Sequence, residues 1–285
     1  MIQRAISISK RFFCNPVIVV PFYRSNLTDS EKISLSCLRK HLAQFEINFL
    51  MPEHLQNHNL VLKKNEFIMR MPNRFFLSAD TYNSLLLSRW FYEQFIRFSH
   101  ILVYQLDCLV FSDCLQKWCC SGWDYVGAPL LKKNGSPELN SDWFVGNGGL
   151  SLRKVRSFLG VLRKKSPQSI YYESSRRVCD APDVEKCYFL PQKKYRFNLK
   201  SIFNSYIKNW TVDHEVRGFR ANEDVFWSIE ATKFDSSFKV APFEVAFQFA
   251  VEKHPSVLIE KNQGKLPFGC HAWDKYDPDF WDKFI

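Results

Sequence analysis

The sequence predicts an α/β fold with parallel strands, and three observations carry that expectation. The first is a β-branched run, Val17-Ile18-Val19-Val20, stopped by Pro21. The second is a helix-start pattern and another apolar run directly after it, giving strand, helix and strand within about 35 residues. The third is Ile101-Leu102-Val103-Tyr104-Gln105-Leu106-Asp107-Cys108-Leu109-Val110-Phe111, a strand-like run whose apolar residues surround one acid.

In chain order, Val17 to Val20 reads as a first buried parallel strand. Thr28-Asp29-Ser30-Glu31 reads as a helix start, Thr28 as N-cap and Glu31 three residues on, for a helix to about Leu42. Glu46 to Leu50 reads as a second strand, closed by Pro52. Residues 53–78 are mixed, with a short strand expected near Phe75-Phe76-Leu77. Ala79 to Phe98 reads as one long helix, with Tyr82, Leu85, Leu86, Trp90, Phe91 and Phe95 at helical spacing. Asp113 to Cys120 suits a short helix, Trp123 to Pro129 a strand entering a loop, and Asn222 to Ser228 the opening of a further helix.

Composition is that of a globular chain of 285 residues, rich in Phe with 27 copies, which suggests a well-filled core and exposed aromatic surface. Residues 153–220 hold sixteen Lys and Arg against six Asp and Glu, an excess equal to the whole chain's net charge of +10. Basicity so concentrated favours an anionic partner. The nine cysteines are odd in number and form no Cys-x-x-Cys pair, so zinc-ligand spacing is absent and a reduced compartment is favoured. Residues 1–10 lack the apolar core of a signal peptide, and no run approaches the ~18–20 apolar residues of a membrane span. The expectation is a soluble, cytoplasmic protein, with peripheral membrane attachment open.

Asp107 is the pivotal residue of the 101–111 run. A buried strand excludes a carboxylate unless something requires it. Strand alternation puts Gln105 and Asp107 on one side, and open α/β sheets bind ligands at the carboxyl ends of their strands. An acid there is placed to hold a divalent cation against a diphosphate; the alternative is an ordinary strand end turning into a loop. The glycines of Phe144-Val145-Gly146-Asn147-Gly148-Gly149-Leu150-Ser151-Leu152-Arg153 allow backbone to approach a ligand closely, or else form a hairpin or bulge.

Taken together and in order, YQLDCLVF, WDYVGAP, VGNGGLSLR, NEDVFW and FGCHAW resemble the GT-A, Rossmann-type fold of nucleotide-sugar glycosyltransferases, nearest to a bacterial surface-polysaccharide group. The resemblance covers most of 15–155 and 218–275 and implies a mixed, mainly parallel sheet flanked by helices in one catalytic domain, 1–285, with 156–215 as a basic, mostly helical insertion. It implies transfer from a nucleotide-sugar donor, a UDP-sugar foremost, to a saccharide or lipid-linked saccharide acceptor in surface polysaccharide synthesis.

Residue by residue, Gln105-Leu106-Asp107 matches the place of the Asp-x-Asp motif that holds Mn2+ or Mg2+ on the diphosphate. Gln105 departs from that pattern by one charge, and a neutral amide is a weaker ligand for a hard cation. Asn147 matches a residue bonding a sugar hydroxyl while Gly148 and Gly149 leave room; Asn147 is equally read as a turn residue with positive φ. Asp224, with Glu223 second, matches the catalytic base of inverting members. The alternative is a helix start with Asn222 as cap and two acids favoured by the helix dipole. His271 matches a metal or phosphate ligand, or is structural, and Pro21, Tyr23 and Arg24 match the loop for base and ribose. The basic segment is expected beside the acceptor entrance, binding anionic lipid or acceptor, with a solvated helical lid as its rival. Two other functions stay open: a nucleotidyltransferase, for which no phosphate-binding glycine loop follows the first strand, and a polyanion- or nucleic-acid-binding protein, for which no nucleic-acid motif is present.

Overall fold

The computed structural model describes residues 14–131, 143–165 and 211–285. Strand β1 (Pro16–Pro21) is buried along its whole length, as an uninterrupted β-branched run requires when both sheet faces are covered. Helix α1 (Asp29–Leu42) starts on the expected capping box: the Thr28 hydroxyl accepts from the Glu31 N–H, and the Glu31 carboxylate accepts from the Thr28 N–H. Strand β2 (Glu46–Pro52) returns parallel to β1, with Val20 opposite Phe49, and β3 (Glu66–Met71) pairs parallel with β2.

The main sheet has six strands in the order β3-β2-β1-β4-β9-β6, where β4 is His100–Tyr104, β6 Tyr125–Gly127 and β9 Leu150–Lys154. Only β9 opposes its neighbours, β4 and β6. The fold is thus the expected mixed, mainly parallel α/β sheet flanked by helices. Strand alternation divides the core. Val17, Val19, Ile101 and Val103 face one apolar layer with Phe91, Phe158 and Trp227; Ile18, Val20, Leu102 and Tyr104 face the other with Leu38 of α1. Because β1 has β2 on one side and β4 on the other, strand order reverses there, and a crevice opens at the carboxyl ends of β1 and β4.

Local expectations are corrected at three places. The run 101–111 is not one strand. β4 ends at Tyr104, Cys108 N–H donates to Gln105 O at 3.0 Å to close a turn, and β5 (Leu109–Val110) leaves for a second sheet with β11 (Gly269–Cys270) and β10 (Ala250–Val251). The turn keeps Gln105 and Asp107 out of the two apolar layers, which a continuous strand would not. The helix expected over 79–98 is two, α2 (Ala79–Leu87) and α3 (Arg89–Gln94). Ser88 stands between them with extended backbone, and its hydroxyl accepts from Phe91 N–H, a local bond that competes with helix continuation. The strand expected near Phe75 is a 3-10 turn, Asn73–Phe76, with the strand itself earlier as β3.

Helix α5 (Val155–Arg163) and a short helix Val212–Glu215 bracket the basic segment; the helical insertion expected over 156–215 falls, for 166–210, outside the described residues. Among the described residues no helix is long and apolar enough to cross a membrane.

Candidate functional site

A cleft of about 650 Å3 lies at the carboxyl ends of β1 and β4. The loop after β1 supplies Pro21, Tyr23 and Arg24, and the turn after β4 supplies Gln105 and Asp107. Tyr82 of α2 and Lys275 line it as well. The cleft therefore gathers all five residues that the sequence assigned to nucleotide, diphosphate or metal before His271 is reached. Asn147, Gly148, Gly149 and Asp224 do not line it; they form an adjoining cluster, joined to the cleft through His271.

His271 comes directly after β11 and points at the turn after β4. Its Nε2 lies 3.2 Å from Gln105 Oε1 and 3.3 Å from Asp107 Oδ1. Its Nδ1 lies 3.0 Å from Asn147 Nδ2 and 3.7 Å from Glu252 Oε1. Burial works against a charged ring here, yet the hydrogen bonds and charges of Asp107 and Glu252 outweigh it and lift the pKa to about 10. The Asn147 amide pulls the other way. Its Oδ1 accepts from Gly149 N–H at 2.9 Å and Leu150 N–H at 3.3 Å, so its Nδ2 faces Glu252 at 2.6 Å and His271. An Asn fixed at both ends donates to Nδ1, which leaves the ring's single proton on Nε2, toward Gln105 and Asp107. This directional bonding decides for the neutral tautomer over the purely electrostatic preference.

Asp107 sits against that proton. Burial opposes its ionisation, but His271 and Lys275 hold its carboxyl below the usual range. Its Oδ1 is buried without an aligned hydrogen-bond donor, the His271 ring lying 3.3 Å away but out of hydrogen-bond alignment. A divalent cation would satisfy such an oxygen. With its Nε2 proton released on binding, His271 would offer an imidazole nitrogen 3.3 Å from Asp107 Oδ1 and 3.2 Å from Gln105 Oε1, three donors close enough to converge on one ion. Cys108 Sγ is close to Asp107 and His271, but burial holds its thiol protonated, and sulfur suits a hard cation poorly.

The acids of the NEDVFW segment separate. Glu223 opens the short helix Glu223–Val225 and is buried; its two oxygens take the Arg153 guanidinium at 2.6 and 2.8 Å. Arg153, on β9, also donates to Tyr92 OH at 3.1 Å and to Ser151 Oγ at 3.0 Å. Among the described residues, Asp224 has backbone donors only: Gly148 N–H at 3.1 Å and Val225 N–H at 2.8 Å. Burial and then the neighbouring Glu223 charge raise its pKa to about 8, against the lowering by Val225 N–H and Arg153. Asn222 occupies the cap position without a capping bond; its side-chain oxygen accepts from Asn83 at 3.1 Å.

Two expectations for the glycine segment change. A Cβ on Gly148 would overlap the Glu223 carboxylate, and one on Gly149 the His271 imidazole. The room these glycines leave is filled by the protein's own side chains. Asn147 has no left-handed backbone, and each position of its amide is engaged, so it organises the cluster rather than presenting an amide to a sugar.

A family model described as "Protein of unknown function (DUF5672)" matches residues 66–271. The chain belongs to that family. No curated protein matches. Among solved structures, the chain is similar to the apo-form glycosyltransferase GlyE of Streptococcus pneumoniae TIGR4, at 9% identity and a TM-score of 0.44, over 95% of this chain and 60% of that one.

For this DUF5672 member, sequence reasoning missed Glu252, the partner role of Arg153, Tyr82 and Lys275. Glu252 carried a usable signal: an acid directly after the apolar Phe249-Ala250-Val251, as Asp107 comes after β4. Arg153 alternates with buried Leu150 and Leu152, and a charge inside a buried strand implies a buried partner. Tyr82 and Lys275 carried none, since their place depends on how α2 and the chain after β11 meet the cleft.

Proposed function

We propose that the protein is an inverting glycosyltransferase that moves a sugar from a nucleotide-sugar, UDP-sugars foremost, to a saccharide or lipid-linked saccharide in surface polysaccharide synthesis. One observation carries the reading. A cleft at the switch point of the sheet, lined by Arg24, Gln105, Asp107 and Lys275, is joined through His271 and the Asn147–Gly148 backbone to a carboxyl whose pKa of about 8 suits proton abstraction near neutrality. In this reading Pro21, Tyr23 and Arg24 receive the base and ribose, and the diphosphate lies toward Gln105 and Asp107. Asp107, His271 with its Nε2 proton released, and the Gln105 carbonyl oxygen would hold Mn2+ or Mg2+, which when bound would neutralise charge on the diphosphate leaving group. Arg24 and Lys275 on the cleft walls add positive charge for the same leaving group.

Asp224 takes the acceptor hydroxyl's proton as that oxygen attacks the anomeric carbon; the bond to the diphosphate oxygen breaks, and configuration inverts. Glu223, given over to Arg153, holds the helix start in place and is not the base. A lipid-linked acceptor would bring the enzyme to the cytoplasmic face of a membrane, where the basic residues of 156–215 would meet anionic lipid.

A panel of nucleotide sugars with Mn2+, read by melting temperature and by slow donor hydrolysis, tests the reading. One UDP-sugar should stabilise the protein and be hydrolysed, and Asp107→Ala should lose both effects in a folded protein. A panel in which no nucleotide sugar binds would remove the proposal.

A further inference from the structure

Far from the cleft, at the amino-terminal end of β1, two cysteines meet across the sheet edge. Cys14 lies two positions before β1, and Cys120 directly after α4 (Leu115–Cys119). They are 106 positions apart in sequence, yet their Sγ atoms lie 3.5 Å apart. A disulfide holds its sulfurs about 2.0 Å apart, so about 1.5 Å of approach separates this pair from a bond.

Both partners are held in register by other contacts. Gln116 Nε2 of α4 donates to Cys14 O at 2.8 Å, and Cys14 Sγ donates to Cys119 O at 3.6 Å. The accessibility of the two thiols differs in a useful way. Cys120 is exposed and Cys14 half-buried, while Cys108, Cys119 and Cys270 are buried. Among the described cysteines, Cys120 is the one that is exposed and so the most open to a reagent in solution, and Cys14 is within reach of an adduct formed there.

We propose that Cys14 and Cys120 form a thiol-modification site, a dithiol that exchanges with small disulfides such as oxidised glutathione and closes a Cys14–Cys120 bond. The exchange balances in two steps. The Cys120 thiolate attacks one sulfur of the small disulfide, a sulfur–sulfur bond forms to the protein, and one glutathione thiolate leaves. Cys14 then gives up its proton and attacks the Cys120 sulfur, and the second glutathione thiolate leaves. Two protein thiols are oxidised, the small disulfide is reduced to two thiols, and the two protein protons end on them. Burial and the neighbouring Cys120 raise the Cys14 thiol pKa to about 11, which makes it the slower, resolving partner. The bond would tie the start of a central strand to the end of α4 and close a loop of roughly 100 residues, the length at which chain-entropy stabilisation is large. The site stands independently of the transferase reading, because neither cysteine touches the cleft.

The test uses the full chain, reduced and then equilibrated with oxidised glutathione, with thiols counted in denaturant and disulfides mapped by mass spectrometry after digestion without reductant. Wild type should lose two of its nine thiols, yield the Cys14–Cys120 peptide pair, gain several degrees in melting temperature and revert with dithiothreitol. Cys14→Ser should stop at a single glutathione adduct on Cys120. Cys120→Ser should form neither bond nor adduct at Cys14. Loss of a different pair of thiols, no linked peptide in wild type, or an unchanged or lower melting temperature of the linked form would each overturn the proposal.

Discussion

Glu223 reaches inward and gives both carboxylate oxygens to Arg153, while Asp224, next in the chain, has only Gly148 and Val225 N–H as donors among the described residues. That division makes the two acids separable by experiment. If Asp224 is the base, kcat/KM should rise with pH to a plateau above about 8, since the group must lose its proton to act. Asp224→Asn should lower kcat by about 10²-fold or more and abolish that limb, with donor affinity nearly unchanged. A variant that keeps both the rate and the limb would leave the segment as a helix start. Glu223→Gln belongs to a different class. It leaves a buried guanidinium without its counter-charge, a loss of about 3–5 kcal/mol in unfolding free energy by urea titration. Joint replacement, Arg153→Met with Glu223→Leu, should cost less than either single change, because no charge is stranded. At this scale, Asp107, Asp224 and His271 could be picked out in the sequence as polar residues beside apolar runs, and they lie in or next to the cleft. Their partners were not. That Gly148 and Gly149 make room for Glu223 and His271, rather than for a ligand, depends on contacts made over 70 or more residues of sequence.

The segment Gly146–Gly149 is the link between cleft and acid: Asn147 bonds His271, and Gly148 N–H bonds Asp224. Gly149→Ala should therefore act on the cleft without unfolding the protein, as its backbone is not left-handed. The new methyl must displace His271, so the melting-temperature rise produced by Mn2+ with UDP should vanish. Gly160→Ala is the matched control. Gly160 lies within α5 with open space where a Cβ would stand, so the change should leave that response intact and add about 0.5–1 kcal/mol of stability. If both variants respond alike to Mn2+ and UDP, the contact between residue 149 and His271 is irrelevant to binding. Elements governed by local signals were readable: β1 from its β-branched run and α1 from its capping box. The break at Ser88 and the turn after Tyr104 were not, because each replaces a locally continuous pattern with a bond chosen by tertiary packing, Arg89 N–H to Asp213 at 2.9 Å and Gln105 N–H to Gly149 O at 3.0 Å.

Across the whole molecule, the α/β class was readable because two of its parallel strands are buried on both faces and leave unbroken apolar runs, whereas the second sheet rests on two-residue strands too short to leave a pattern. The main sheet also contains an acid-sensitive residue at its centre. His100 opens β4 and is buried, with Nδ1 3.0 Å from Ser99 Oγ and Nε2 without a partner. Burial, with Lys154 second, lowers its pKa to about 4 from an ordinary 6.5. Between those values the unfolded imidazole binds a proton and the folded one does not, so this group makes stability fall as pH drops from about 6.5 to about 4. The full effect is about 3 kcal/mol at most. Asp224 contributes with the opposite sign: its folded pKa is raised, so stability from that group is present at low pH and is lost as pH rises toward about 8. The two are separated by variant rather than by pH alone. Urea unfolding of wild type and of His100→Gln, which has no charge to gain, should show the variant gaining most of that amount relative to wild type between pH 7 and 4.5, a difference in which the Asp224 effect cancels. An identical pH response in the two proteins would assign the acid sensitivity to carboxylates held below their usual range, such as Glu93 beside Arg89, instead of the centre of the sheet.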